Sequence, residues 1–315
     1  MGGPLKRSRL ALPALLVVTI LWGCTFIWMK QSLDAAGRAL GRPGGAAVVS
    51  MYIAVRFVAA AALLALWPRA RAGLDRAAWR GGALLGALLF AGFLVQMLGL
   101  QGVTPPVSAF LTSLYVVFAA ILTAWTRRTR PSTPLLAGVA LATFGAGFIE
   151  GPPHLTFGTA EWLTVVSAAI FAVHILATDT ITKASAPLGV TVAMFACTAA
   201  LALIALPVAM RASGVSGRSL APLLSDPAFV RPLILATIFA TVLALTLMNQ
   251  FQRELDPVRA AILFSLEPVW TTLIAAAMGL GRPGAWLWLG GGALLAGNLI
   301  AEWGALRPAP AAGSQ

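Results

Sequence analysis

Ten stretches of mostly apolar residues recur along the whole chain, each about long enough for a helix to cross the roughly 30 Å hydrocarbon core of a bilayer. They cover residues 10–29, 46–67, 82–100, 107–125 and 133–149, then 160–180, 188–210, 233–249, 258–278 and 285–301. Backbone polar groups in lipid must be satisfied within the spanning element, and no alternating strand pattern runs through these stretches, so helices are expected. The balance of residues agrees: 59% are apolar and only 10% charged, against roughly 25% charged in a soluble domain. The expected fold class is an all-α integral membrane protein of ten transmembrane helices.

The net charge of +12 does not point to nucleic acid, because the positive residues sit in small groups between apolar runs and form no basic stripe with interleaved aromatics. Their placement orients the helices instead. With the N-terminus inside, 14 Lys and Arg residues fall on the inner side and 7 on the outer, with Arg56 inside the second span. Both termini are therefore expected in the cytoplasm. The basic Lys6, Arg7 and Arg9, followed by an apolar run to Leu21-Trp22-Gly23-Cys24, mimic a lipoprotein leader. The run continues to Met29 and Trp fits poorly beside such a cleavage site, so an uncleaved first helix is expected. Cys24 and Cys197 both lie in apolar runs and form neither a disulfide framework nor a metal-ligand spacing.

The chain also repeats itself. Ala109-x-Leu111-x-Ser113-Leu114 returns as Ala261-x-Leu263-x-Ser265-Leu266 at an offset of 152, which also relates Pro105 to Pro257, Arg130-Pro131 to Arg282-Pro283, Gly138 to Gly290, Gly145 to Gly297 and Glu150 to Glu302. Earlier spans match at an offset of 149, as in Phe90-Ala91 with Phe239-Ala240 and Gln101 with Gln250. Two halves are expected, residues 1–150 and 151–315, each of five spans. An odd number of spans makes the halves enter the membrane in opposite senses, the inverted-repeat arrangement that suits alternating access to a site between them.

Leu21-Trp22-Gly23, Arg56-Phe57, Gln96-x-x-Gly99-Leu100 leading to Ala109-Phe110-Leu111, and Leu266-Glu267-Pro268-Val269 together resemble the bacterial drug/metabolite transporter superfamily, specifically its EamA-type ten-helix permeases. The likeness covers about residues 10 to 303. It implies a multi-pass exporter or importer of the cell inner membrane for amino acids, related metabolites or drugs, driven by a gradient or by exchange; export is the expected direction, with a proton or a counter-substrate as the expected coupling partner. The first half departs from the pattern with Val116 where many relatives carry Pro, the counterpart of Pro268. Identical kinks in the two halves do not follow from the resemblance.

Charged residues deep in a span are costly, and they are usually functional or paired. Arg56 and Glu267 both lie near mid-membrane, about 15 Å deep at 1.5 Å per residue. They read either as a pair at a central cavity, binding substrate or a proton, or as an ion pair that locks two helices. Tyr115, the repeat counterpart of Glu267, and His174 lie at similar depth; each is a candidate for the cavity and also for a hydrogen-bonded packing role. Trp22 and Trp270 are candidates for the cavity wall, or for contact with lipid or neighbouring helices. The expected substrate-binding set is thus Trp22, Arg56, Tyr115, His174, Glu267 and Trp270. Gln96, Asn249 and Gln250 fall nearer helix ends, and Glu150 and Glu302 read as solvated ends. Small-residue pairs such as Gly138/Ala142 and Gly292/Ala296 offer helix-contact faces within the chain or in a homodimer. No paired metal ligands, Walker loop or nucleotide fingerprint is present, so neither an enzyme nor a cofactor is expected. The rival reading is a non-transporting sensor or assembly protein built on a transporter scaffold.

Overall fold

The computed structural model describes residues 4–126, 128, 132–146, 157–255, 263–280 and 283–306, and all regular structure among them is helical. Seven helical segments are long and apolar enough to cross a membrane. They are α1 (Pro4–Leu40), α2 (Gly45–Ala65), α3 (Arg76–Leu100), α4 (Pro105–Thr126), α6 (Thr159–Ala184), α7 (Pro187–Ser213) and α8 (Pro227–Glu254). Three further helices among the described residues are α5 (Thr133–Ala146), α9 (Glu267–Ala277) and α10 (Ala285–Leu306), with short helical turns at Pro68–Ala72, Gly217–Leu220 and Ala221–Ser225. The apolar part of α10 covers Ala285–Ala301. Arg130, Pro131, Glu150 and Arg282 lie outside the described residues, as does the side chain of Glu302.

Local chemistry sets the ends. Asp75 caps α3 by accepting from the Ala78 N–H at 2.6 Å, and Asp226 caps α8 by accepting from the Ala228 N–H at 2.8 Å. Prolines open α4, α7 and α8 at the first turn, where no intrahelical N–H is required. Gly214 ends α7 with φ +59°, the left-handed conformation that costs Gly no Cβ clash. The first helix does not stop at Met29 as the apolar run suggests; it continues to Leu40. Its polar continuation is used for packing. The Lys30 ammonium donates to the carbonyls of Leu100 and Gln101, both at 3.2 Å, at the open C-terminal end of α3. The Ser32 hydroxyl donates to the Phe229 carbonyl at 2.9 Å.

Two irregularities shape the interior. α4 breaks between Thr112 and Tyr115, and the chain turns again at Ser265-Leu266 before α9. These are repeat-equivalent positions, so the two halves break in register although one carries Val116 and the other Pro268. In α4 the turn is held without proline: the Ser113 hydroxyl donates to the Phe110 carbonyl at 2.7 Å, and Asn298 of α10 donates to the Ser113 carbonyl and hydroxyl, both at 3.0 Å. The second irregularity is a π-helical stretch, Ala236–Leu243, in the middle of α8, where the Thr241 hydroxyl donates to the Ala236 carbonyl at 3.0 Å. Such stretches are rare and concentrate at functional sites.

The helices pack in matched pairs. α2 packs on α7 and α5 on α10; α3 packs on α6 as α8 does on α1; α3 packs on α7 as α8 does on α2; α9 packs on α1 as α4 does on α6. Exchanging each helix of the first half for its repeat counterpart leaves this set of contacts unchanged. The α5–α10 contact is backbone on backbone. A Cβ on Gly297 would lie 2.6 Å from the Gly138 carbonyl oxygen, and one on Gly145 would strike the backbone at Leu294. The Gly138/Ala142 face is therefore occupied within the chain, whereas Gly292 faces open space.

Candidate functional site

Six helices, α1, α3 and α4 with their counterparts α6, α8 and α9, line a shared cavity. Its lining comes in helical steps of three and four residues: Trp22, Thr25 and Phe26 from α1; Leu89, Phe93 and Gln96 from α3; Phe171, His174 and Ile175 from α6; Leu245 and Met248 from α8. Thr112 and Tyr115 of α4 and Glu267 of α9 close it. Tyr115 and Glu267 are the first residues after the two breaks, so the breaks turn both side chains into one space. Glu267 also sits in the first turn of α9, where a carboxylate answers the positive end of the helix dipole.

Gly23 makes this arrangement possible. A Cβ there would lie 2.8 Å from the Cβ of Trp270 and 3.2 Å from the Glu267 carbonyl oxygen, so only Gly lets α1 approach α9 this closely. Two hydrogen bonds fasten the contact: the Thr271 hydroxyl donates to the Gly23 carbonyl at 3.1 Å, and the Trp270 indole N–H donates to the Thr19 hydroxyl at 3.2 Å.

Within the cavity, Glu267 is 6% exposed. The Tyr115 hydroxyl is its neighbour, without completing a hydrogen bond of good geometry. The His174 ring is buried and its Nε2 has no hydrogen-bond partner among the described residues. Gln96 donates to the Thr112 hydroxyl at 3.1 Å. A polar cluster with unspent hydrogen-bonding capacity thus faces an otherwise apolar and aromatic chamber.

Of the six residues expected from the sequence, Trp22, Tyr115, His174 and Glu267 line this cavity; Arg56 and Trp270 do not. Trp270 lies one turn beyond Glu267 and clamps α1 to α9. Arg56, 1% exposed, sits behind the wall. Its guanidinium donates to the Thr241 hydroxyl at 2.5 Å, the Thr25 hydroxyl at 3.4 Å and the Met29 sulfur at 3.6 Å, and its carbon lies 4.7 Å from the centre of the Phe93 ring. The cation thereby ties α2 and α1 to the π-helical stretch of α8. No ion pair joins Arg56 to Glu267 among the described residues, so the expected pairing is corrected. Equal depth fixes a residue's height but not its direction: α2 turns this side chain toward α8, while α9 faces α1 and α4. Glu267→Gln and Arg56→Gln should accordingly lower stability additively, within about 0.5 kcal/mol. A double variant that recovers a clear part of the loss, measured by unfolding in detergent, would restore the pair.

Gln96, Thr112, Thr25, Phe93 and Phe171 are cavity residues that polarity and depth did not single out. Thr25, Thr112 and Phe171 lie three residues from Trp22, Tyr115 and His174, and Phe93 and Gln96 share a face of α3 with Leu89.

Residues 9–150 match the EamA-like transporter family, and residues 158–302 match it again. The chain belongs to the EamA-like transporter family. This transporter is 26% identical over 264 residues to an uncharacterized transporter of Archaeoglobus fulgidus, covering 84% of its own length and 76% of the relative's. A solved crystal structure of a protein shares the fold at a TM-score of 0.57 and 18% identity, over 90% of this chain and 96% of that one. The likeness to that structure concerns the fold alone. The transporter is thus a multi-pass membrane protein whose central cavity is bounded by three helices from each matched half.

Proposed function

We propose that this transporter is a secondary carrier that exports a small metabolite across the cell inner membrane by alternating access. The observation that carries the reading is the cavity itself, drawn from counterpart helices of both halves and holding a carboxyl, an imidazole and a phenol in an apolar chamber. Five spans per half, counted with α5, α9 and α10, make ten crossings and set the halves in opposite senses, so one rocking motion exposes the same site to either side. Both termini lie in the cytoplasm. A second copy, if one associates, uses a face other than Gly138/Ala142.

A thermal-shift screen of purified protein against a metabolite panel, followed by flux of each stabilising compound in proteoliposomes, tests the function. Compounds that stabilise should also move across the bilayer; binding without flux would make the protein a sensor. Topology has its own test in a background lacking Cys24 and Cys197. Ser216→Cys should react with an impermeant thiol reagent from outside intact cells and Ser132→Cys should not, and equal labelling would overturn the orientation.

A further inference from the structure

Among the described residues, the cavity lining has one acidic side chain and no basic one other than the imidazole. Glu267 is the acid, and among the lining residues there is no Lys or Arg. Among the described cations, Arg56 and Lys30 are committed elsewhere. Arg56 is held behind the wall by Thr241, Thr25 and Phe93. Lys30 is held by the end of α3 and by Asp34 at 3.5 Å. The Gln96 amide is spent on Thr112.

A carboxylate entering this chamber would find no Lys or Arg among the described lining residues to pair with, and burying an unpaired charge is expensive. A cation meets the opposite situation. Glu267 supplies the counter-charge, and the rings of Trp22, Phe26, Phe93 and Phe171 line the same space and supply aromatic and apolar contact. The unpartnered His174 Nε2 adds an acceptor for an ammonium N–H when the ring is neutral. We propose that the site takes a small organic cation, an amine or quaternary ammonium with an apolar or aromatic body and no acid group, and that it rejects amino acids. The proposal rests on the carrier reading above for the location of the site and narrows its substrate.

The test compares ligands that differ only in charge, on purified full-length protein by calorimetry: 2-phenylethylamine, trimethyl(2-phenylethyl)ammonium, L-phenylalanine and 3-phenylpropionate. Both cations should bind, with L-phenylalanine and 3-phenylpropionate at least about tenfold weaker. Glu267→Gln should weaken both cations about tenfold or more, while Glu267→Asp keeps the order of preference. Scanning fluorimetry shows whether each variant is folded, and the wild-type ranking needs no variant. L-phenylalanine binding as tightly as the amines, failure of both cations to bind, or indifference of the cations to Glu267→Gln in folded protein would each overturn the proposal. Tight L-phenylalanine binding that Glu267→Gln abolishes would leave the central site standing and sink only the cation restriction. Cation binding without flux in proteoliposomes would sink the carrier reading and leave the ligand class intact.

Discussion

Glu267→Gln is expected to abolish the response of transport to an imposed pH gradient while sparing counterflow at saturating ligand. Among the described lining residues no Lys or Arg faces this carboxyl, so on the proposed reading a bound organic cation supplies its counter-charge and a proton replaces that cation in exchange. One carboxyl holding either a proton or an organic cation, but not both, makes an exchanger. The sign follows: with acid outside the cell, protons enter as the cation leaves, which is export. In proteoliposomes loaded acid inside, the wild type should accumulate trimethyl(2-phenylethyl)ammonium, whose fixed charge prevents passive trapping as a neutral base. Gln cannot carry the proton, so the gradient should cease to matter, while exchange of labelled for unlabelled ligand persists above the raised dissociation constant. The other titratable groups facing the chamber are Tyr115 and His174, and Tyr115→Phe and His174→Gln should each retain the response. Loss of the response in His174→Gln with its retention in Glu267→Gln would move the proton to the imidazole. A wild type that ignores the gradient would exclude proton exchange.

Gly297→Leu should be the most damaging single change for stability, costing about 3 kcal/mol. A Cβ there would sit 2.6 Å from the Gly138 carbonyl oxygen and 2.8 Å from the Cα of Ala142, whereas carbon atoms in contact rest roughly 3.5–4.0 Å apart. The obstruction is backbone, so no rotamer relieves it and α5 must separate from α10. Lipid provides no hydrophobic force to hold helices together, so the close contact made by Gly138, Gly145 and Gly297 is itself the attraction that would be lost. Gly292→Ala is the matched control, since its Cβ meets open space, and it should be neutral or slightly stabilising because Ala is the better helix former. Equal melting temperatures for the two variants would mean that α5 and α10 do not meet along this stripe.

How much of this was legible in the sequence depends on which coordinate a residue pattern encodes. Run lengths encode where apolar helices form, so seven of the expected spans return as helices long enough to cross a membrane, and 133–149 and 285–301 return as shorter apolar helices. The repeat encoded equivalence, and it located Tyr115 opposite Glu267 without showing that the chain breaks just before both. Val116 argued against matching breaks, because the Ser113 hydroxyl and Asn298 do in α4 what proline does elsewhere, and Asn298 is 185 residues away. Direction around a helix was the coordinate left out. Arg56 was paired with the wrong partner because its helix faces Thr241, an ordinary-looking residue inside an apolar run whose π-helical geometry leaves no compositional trace. Gln96 was set aside as a helix-end residue, although its spacing from Leu89 and Phe93 already placed all three on one face.

The position of Arg56 also has a bearing on how the protein is made. Its shortest hydrogen bond reaches a residue 185 positions further along the chain. At roughly 5–20 residues per second, synthesis reaches Thr241 about 10–40 seconds after Arg56. During that interval a guanidinium that costs roughly 2.5–3.5 kcal/mol to insert at the centre of a lone helix must wait in the bilayer without it. Thr25 and Met29 precede it by 31 and 27 residues, and the Phe57 ring is next to it in the chain. The newborn α1–α2 hairpin therefore already carries a provisional holder for the charge. The final bond closes only when the second half of the protein arrives, so the ribosome delivers the lock well before the bolt.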